Sequence, residues 1–502
     1  MAKKDSRKAA FGDFQTPYSL ALGVCSRIFH YEPTPTCIVE PTCGKGNFLA
    51  AALAVFRSCT LYGFEINQDY LFEAQKNLAQ VNHHFCPLFF KRANFFDIEW
   101  ESFFQTLQGS IIVIGNPPWV TNSELGQLNS SNLPQKSNFQ QLTGVDAITG
   151  KSNFDISEWI SIRLLNALSS RNATFAFLLK TTVARKILEH AWLHDLPIHN
   201  TSIFNIDAKS HFDAAVDACL FVCQTGTMGE KICPVYRDID SNEVIRTIGY
   251  TNGRLVADVS ASKVVAQFRA NTTEEDWRSG IKHDCAPVLE LVRTNSALFN
   301  QLGETVEIEE QHLFPLFKSS DVAHQKQQQE RFLIVTQKKP NEDTNLLIQS
   351  SPKAWAYLIQ HLSFFEKRKS SIYQGKSSFS IFGVGEYTFF PWKVAISGLY
   401  KSLHFSVIPP INGKPAVFDD TVYFIPCRSE EEAVLKANLL NSGVAHDFFS
   451  AFVFWDAKRP ITAQILKQLS LRKVAEELGC LRDFDGITSK TNPEQKQSSF
   501  HF

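Results

Sequence analysis

Asn116-Pro117-Pro118-Trp119 is the segment of this chain best suited to chemistry. Asn116 offers a side-chain carbonyl, and Pro117 a backbone carbonyl with no competing donor on its own nitrogen. Two acceptors converging on a planar amine can hold both of its hydrogens and steer the nitrogen lone pair out of conjugation. An amine held in that way is poised to receive a methyl group. Catalysis would rest on orientation and electrostatic preorganisation, with no covalent intermediate and no metal. Trp119 can stack on the ring that bears the amine. A base inside a duplex cannot be reached this way and would have to be flipped out.

A second set of residues combines carboxylates with glycines. Glu40 closes the apolar run Ile38-Val39 and is followed by Pro41-Thr42-Cys43-Gly44-Lys45-Gly46-Asn47 and an alanine-rich stretch. Glu65 closes the next apolar run, about twenty residues past the glycines, where doubly wound folds set a carboxylate on a ribose hydroxyl pair. Asp97 follows Ala93-Asn94-Phe95-Phe96, read as the next strand. The turn has no third glycine for a dinucleotide fingerprint and no Gly-Lys-Ser/Thr for a phosphate loop. Acids facing a glycine turn suit a ligand rich in donors. S-adenosylmethionine fits, because its amino group, ribose hydroxyls and adenine amine donate hydrogen bonds that carboxylates accept. Each acid alone reads as a solvated strand end; the three together with Gly44 and Gly46 read as a cofactor site. Phe212 could form the second wall for a flipped base, but its position alone suits a core residue better.

These residues need a sheet to bring them to one edge. Apolar strands over 37–40, 60–64, 111–114, 173–179 and 216–223 alternate with helical patterns over 46–58, 67–80, 155–169 and 182–189, as in an open α/β sheet. Within that scheme Gly115 frees the backbone just before Asn116. The segment 120–153, rich in Asn, Ser, Gln and Gly, reads as a loop over the site. Beyond about residue 230 the pattern changes to strands over 331–336, 387–396, 404–408 and 421–425, then helices over 430–449 and 460–477. The expected organisation is a Rossmann-like domain over 1–260, an α+β domain over 261–485, and a disordered polar tail over 486–502.

Composition narrows the setting. With 502 residues the chain exceeds one core, and 44% hydrophobic with 20% charged residues is the balance of a globular protein. No apolar run is long enough to span a bilayer, and the start lacks a signal-peptide core. The eleven cysteines contain no CxxC pair, and Cys219 and Cys223 read as packed thiols, so a reducing cytoplasm is the expected compartment. The net charge of −1 leaves any phosphate binding to a local basic cleft.

With these motifs in place, the chain resembles the adenine-specific DNA amino-methyltransferases of the gamma arrangement, found in restriction–modification systems. Gly12-Asp13-Phe14-Gln15-Thr16-Pro17 looks like their opening cofactor motif, and Glu40 to Phe48 like their glycine motif. The resemblance implies ribose binding by Glu65, contact with the cofactor adenine by Asp97, catalysis by Asn116 to Trp119, and base stacking by Phe212. Asn153 to Glu158 sits where a further motif helix begins. It covers roughly residues 11 to 225, and it departs from the family at Lys45, where a small residue is usual, and at Trp119, where Tyr or Phe is commoner. It implies a double-stranded DNA partner and S-adenosylmethionine as cofactor, and leaves a restriction enzyme on a separate chain open. The alternatives are an RNA base methyltransferase and a non-catalytic DNA-specificity subunit. The length of the second half favours DNA. There Phe364-Phe365-Glu366-Lys367-Arg368-Lys369 and Tyr373 to Lys376 interleave cations with aromatics, and Lys393, Lys401, Lys458 and Arg459 add to them. Asn441-Ser442 with Phe448-Phe449 looks like the segment closing a target-recognition region.

Overall fold

The structure is a computed structural model that describes residues 15–80, 86–120, 155–271, 275–295, 297–326 and 330–491. It divides into two compact units, 1–259 and 260–502. In the first, the elements are α1 (Tyr18–Ile28), β1 (Cys37–Glu40), α2 (Asn47–Val55), β2 (Thr60–Glu65), α3 (Gln68–Ala79), β3 (Leu88–Arg92), α4 (Trp100–Thr106) and β4 (Ile111–Gly115). They continue with α5 (Ile156–Ala167), β5 (Ala173–Lys180), α6 (Thr181–Leu193), β6 (Ile198–Ile206), α7 (Ala208–Phe212), β7 (Ala218–Thr225), β8 (Ile232–Tyr236), β9 (Val244–Thr251) and β10 (Arg254–Val256).

The strands form one sheet in the order β10-β9-β8-β6-β7-β5-β4-β1-β2-β3. Strands β3, β2, β1, β4 and β5 run parallel, and β7 runs antiparallel between β5 and β6. The expected Rossmann-like architecture is present. Its strand order reverses between β1 and β4, the place where such sheets open a ligand crevice at their carboxyl ends. Both strands are covered on two faces, so Ile38, Val39 and Ile111 to Ile114 are all buried and the sequence there is a continuous apolar run. The same burial takes Cys219 and Cys223 on β7 fully out of solvent.

Several expectations need correction. The third strand is β3, Leu88–Arg92, and residues 95–97 form a 3-10 turn instead of a strand end. As the edge strand it leaves Phe89 exposed, which blurs its apolar pattern. Strand β6 was not anticipated. Its stretch His199-Asn200-Thr201-Ser202 is polar, and the register against β7 shifts there, with Asn200 at φ +48°. Strand β7 begins at Ala218, two residues later than expected, since Val216 and Asp217 are exposed. Gly115 stays in strand geometry opposite Phe177, so the freedom expected of it is not used. Gly12 to Phe14 and most of the 120–153 segment lie outside the described residues.

The second unit is α+β, as expected. Strands β11 (Arg278–Ser279), β16 (Trp392–Ser397), β17 (Ser406–Ile408) and β19 (Val422–Cys427) form one sheet. A second sheet contains β12 (Glu290–Thr294), β13 (Ala297–Phe299), β14 (Leu313–Phe317), β15 (Arg331–Ile334) and β18 (Val417–Phe418). The strand expected from 387 starts only at Trp392, after a 3-10 turn at Glu386–Phe389. The helix expected over 430–449 is two helices, Glu430–Leu440 and Gly443–Phe452. Asn441 leaves the helical path to bond the backbone of Phe405 through both amide atoms, and Ser442 caps the second helix at Ala445 N. The pattern over 460–477 likewise divides into Ala463–Leu466 and Leu471–Glu477. A final helix, Leu481–Thr491, occupies the first part of the stretch expected to be a disordered tail; 492–502 lie outside the described residues.

Candidate active site

Asn116 follows directly on β4, at the carboxyl edge of the sheet. Its Nδ2 donates to Thr16 Oγ1 at 3.2 Å. Thr16 is buried and sits just ahead of α1, and its carbonyl accepts from Asn47 Nδ2 at 2.7 Å. One threonine therefore links the Asn-Pro-Pro-Trp tip to the first residue of α2, the helix that follows the glycine turn. The two prolines restrict the chain after Asn116. Trp119 is buried, and its indole Nε1 donates to the carbonyl of Leu178 on β5 at 3.2 Å.

The glycine turn is built as its sequence requires. Gly44 and Gly46 have φ of +49° and +80°, a region closed to most side chains. A Cβ on Gly44 would come within 2.7 Å of Gln15 Oε1, and one on Gly46 within 3.0 Å of Ala74 in α3. Glu65 braces the turn: Oε2 accepts from Gly44 N and Oε1 from Asn67 N, each at 2.8 Å. Lys45 turns outward to pair with Glu73 at 2.9 Å, with its ammonium over the Tyr70 ring.

Glu40 is only 2% exposed, and its Oε2 has no hydrogen-bond partner among the described residues. Burial, with Glu65 close by, pushes its carboxyl well above the usual carboxylate range, against one backbone N–H from Leu49. A buried acceptor left open at the carboxyl end of β1 is the complement of a cationic donor such as an amino group. The donor set of S-adenosylmethionine therefore fits the residues present. Asp97 is exposed and lies on the turn after β3, in a cleft with Asn94, Tyr62, Phe89 and Phe103.

Phe212 ends α7, just before β7. Its ring meets that of Trp119 edge to face, with centroids 5.2 Å apart and planes at 70°. The structure thus brings together Asn116, Trp119 and Phe212, which are far apart in sequence. The Trp119 face does not stand open, because most of the indole packs into the core of the sheet's helical layer.

Lys180 was not anticipated from the sequence, and Asp155 only as part of the stretch Asn153 to Glu158 where a motif helix begins. Lys180, the last residue of β5, donates to the carbonyl of Trp119 at 3.0 Å and to Asp155 Oδ2 at 2.7 Å. Asp155 also caps α5 through Ser157 N. A lysine closing an otherwise apolar strand at the carboxyl edge was the signal available for Lys180. Within the expected motif helix, Glu158 is buried and pairs with Lys186 at 2.8 Å, while Asn153 lies outside the described residues.

The basic residues of the second unit divide into two groups. Arg368 is spent on structure: its guanidinium lies 3.7 Å from the Tyr373 ring centroid and donates to the carbonyls of Phe365, Ser378 and Ser380. Lys393 is 1% exposed and donates to the Phe390 carbonyl, so neither side chain is presented for a phosphate. Lys367, Lys369, Lys401 and Lys458 are exposed, and Arg459 is exposed beside Asp420.

No family model matches the chain. It is 45% identical over 475 residues to the type II methyltransferase M.NspV of Nostoc sp. (strain ATCC 29411 / PCC 7524), covering 94% of this chain and 98% of that protein. Among solved structures its fold is similar to that of the type IIL restriction–modification enzyme MmeI in complex with DNA. The TM-score is 0.53 at 12% identity, over 97% of this chain and 70% of MmeI, a likeness of fold alone. Near full-length identity at that level, on a Rossmann-like sheet with a donor-accepting cofactor edge, means that the chain belongs to the type II methyltransferases, the S-adenosylmethionine-dependent DNA methyltransferases of restriction–modification.

Proposed function

We propose that this chain methylates the 6-amino group of an adenine flipped out of duplex DNA. The observation that supports this most directly is the anchoring of Asn116 to Thr16. With Nδ2 held there, the planar amide directs Oδ1 along its other branch, where it can accept one amine hydrogen while the Pro117 carbonyl accepts the second. Bound S-adenosylmethionine supplies an electrophilic methyl group on a sulfonium centre. Glu40 takes its amino group, Glu65 its ribose hydroxyls and Asp97 its adenine amine, with Thr16, Gly44 and Gly46 lining the turn. Pro118 stiffens the tip. Trp119 and Phe212 hold the base, and a base between them requires their edge-to-face contact to open.

Residues 1–260 then form the methyltransferase domain and 261–485 the target-recognition domain, with the exposed Lys367, Lys369 and Lys458 as candidates for contact with backbone phosphates. A restriction endonuclease on a separate chain, reading the same site, is the natural partner. The test is methyl transfer to duplex DNA and to structured RNA. Asn116→Ala is expected to lower transfer by about a thousandfold or more while calorimetric cofactor binding stays within about threefold. Full activity in that variant would sink the mechanism, transfer to RNA alone would remove the DNA reading, and a methylated cytosine in long-read sequencing would remove the adenine.

A further inference from the structure

We infer that Lys180, held by Asp155, is a positioning residue for methyl transfer, clamping the Asn-Pro-Pro-Trp tip through the Trp119 carbonyl. The inference rests on the reading of Asn116 given above. The tip leaves β4 at Gly115, which is paired with Phe177 of the neighbouring strand β5. From there it crosses to the end of β5 and is tied down twice. The indole Nε1 of Trp119 reaches the carbonyl of Leu178, and the Trp119 carbonyl receives Lys180 Nζ at 3.0 Å. The two anchors are two residues apart on one strand. With Asn116 held at one end by Thr16 and Trp119 at the other by β5, the torsions left to Pro117 and Pro118 are few. The Pro117 carbonyl lies between those fixed points, and its direction decides whether a second amine hydrogen is accepted.

The lysine is itself held in place. Asp155 Oδ2 lies 2.7 Å from Nζ, and the side chains are 8% and 22% exposed for Asp155 and Lys180. The other carboxylate oxygen, Oδ1, is committed to Ser157, by its N–H and by its hydroxyl. The helix α5 thereby orients the carboxylate, the carboxylate orients the ammonium, and the ammonium orients the tip. The same corner is closed by the backbone, since Ile156 N donates to Val120 O at 2.9 Å. A partly buried ion pair whose cation also grips a main-chain carbonyl beside the reacting group fits a catalytic geometry held within tenths of an ångström better than an ornament of the surface.

The experiment compares Lys180→Met, Lys180→Arg and Asp155→Asn in the full chain, with Asn116→Ala alongside. Single-turnover methyl transfer to duplex DNA, KM for DNA, calorimetric cofactor binding and melting temperature are measured for each. Lys180→Met is expected to lower the transfer rate by about 10- to 100-fold, with cofactor Kd and KM within about threefold. Lys180→Arg keeps a donor for the carbonyl and a charge for Asp155, and is expected to restore most of the rate. Asp155→Asn is expected to slow transfer less than Lys180→Met, and the double variant to be no slower than Lys180→Met alone. If Lys180→Met fails to fold, Lys180→Arg and Asp155→Asn decide the matter through the same rate-against-KM split. A wild-type rate in Lys180→Met overturns the clamp, as does a loss that follows melting temperature and cofactor binding without rescue by arginine. An active Asn116→Ala would instead overturn the reading beneath it, so the two failures are distinguishable.

Discussion

At the scale of single residues, Glu40 has the sharpest consequence. Its carboxyl is buried with one oxygen left open among the described residues, and its pKa lies well above the ordinary value of 4.5. The ligand-free protein is therefore stabilised by a protonated Glu40 below about pH 4.5, and that contribution is lost as pH rises toward the raised value. Glu40→Gln should raise the melting temperature of the ligand-free protein at neutral pH by about 2–5 °C, since it removes a titratable carboxyl whose burial disfavours the ionised form that the unfolded chain adopts freely. The same change should weaken S-adenosylmethionine binding by about tenfold or more, because an amide cannot balance an ammonium. Melting curves and calorimetry across neutral pH check both, and a lower melting temperature with unchanged affinity would remove Glu40 from the site. Glu40, Glu65 and the glycine turn were legible because they follow one another at strand ends within a single stretch of chain. Lys180 was not, because its partners stand 61 and 25 residues away, one just past β4 and the other at the start of α5, and only the fold brings them to the end of β5.

At the scale of elements, the sequence read well wherever a strand is covered on both faces and poorly where it is not. The buried β1, β4 and β5 announce themselves as apolar runs. The edge strand β3 and the bulged β6 do not, since half-exposed or polar residues carry their pairing. The join at Asn441-Ser442 shows the same limit for helices. The apolar spacing continues across it, but the Asn441 side chain serves Phe405 and the Ser442 hydroxyl starts a new helix. Ser442→Ala should cost about 1 kcal/mol through loss of that cap. Chemical denaturation should show a lower midpoint with an unchanged slope, and an unchanged midpoint would mean that tertiary packing alone sets the break.

At the scale of the whole molecule, a net charge of −1 hides an uneven use of cations. If the exposed lysines contact phosphates, replacing Lys367 and Lys369 together by Ala should reduce the salt slope of DNA binding by about 1.8, roughly 0.9 for each phosphate no longer neutralised. Lys393→Met should leave that slope unchanged, since its ammonium is buried. Equal slopes in all three proteins would take the phosphates elsewhere. No helix among the described residues is long and apolar enough to cross a membrane. What the sequence determined by itself was the chemistry that local spacing encodes: a strand, a glycine turn, an acid, and an Asn-Pro-Pro tip ready to hold an amine. Only the tertiary structure decided what that tip leans on. Thr16, Lys180 and Phe212 reach it from three other segments, with Asp155 behind Lys180, and contacts between distant segments follow from sheet order and register rather than from any periodicity along the chain.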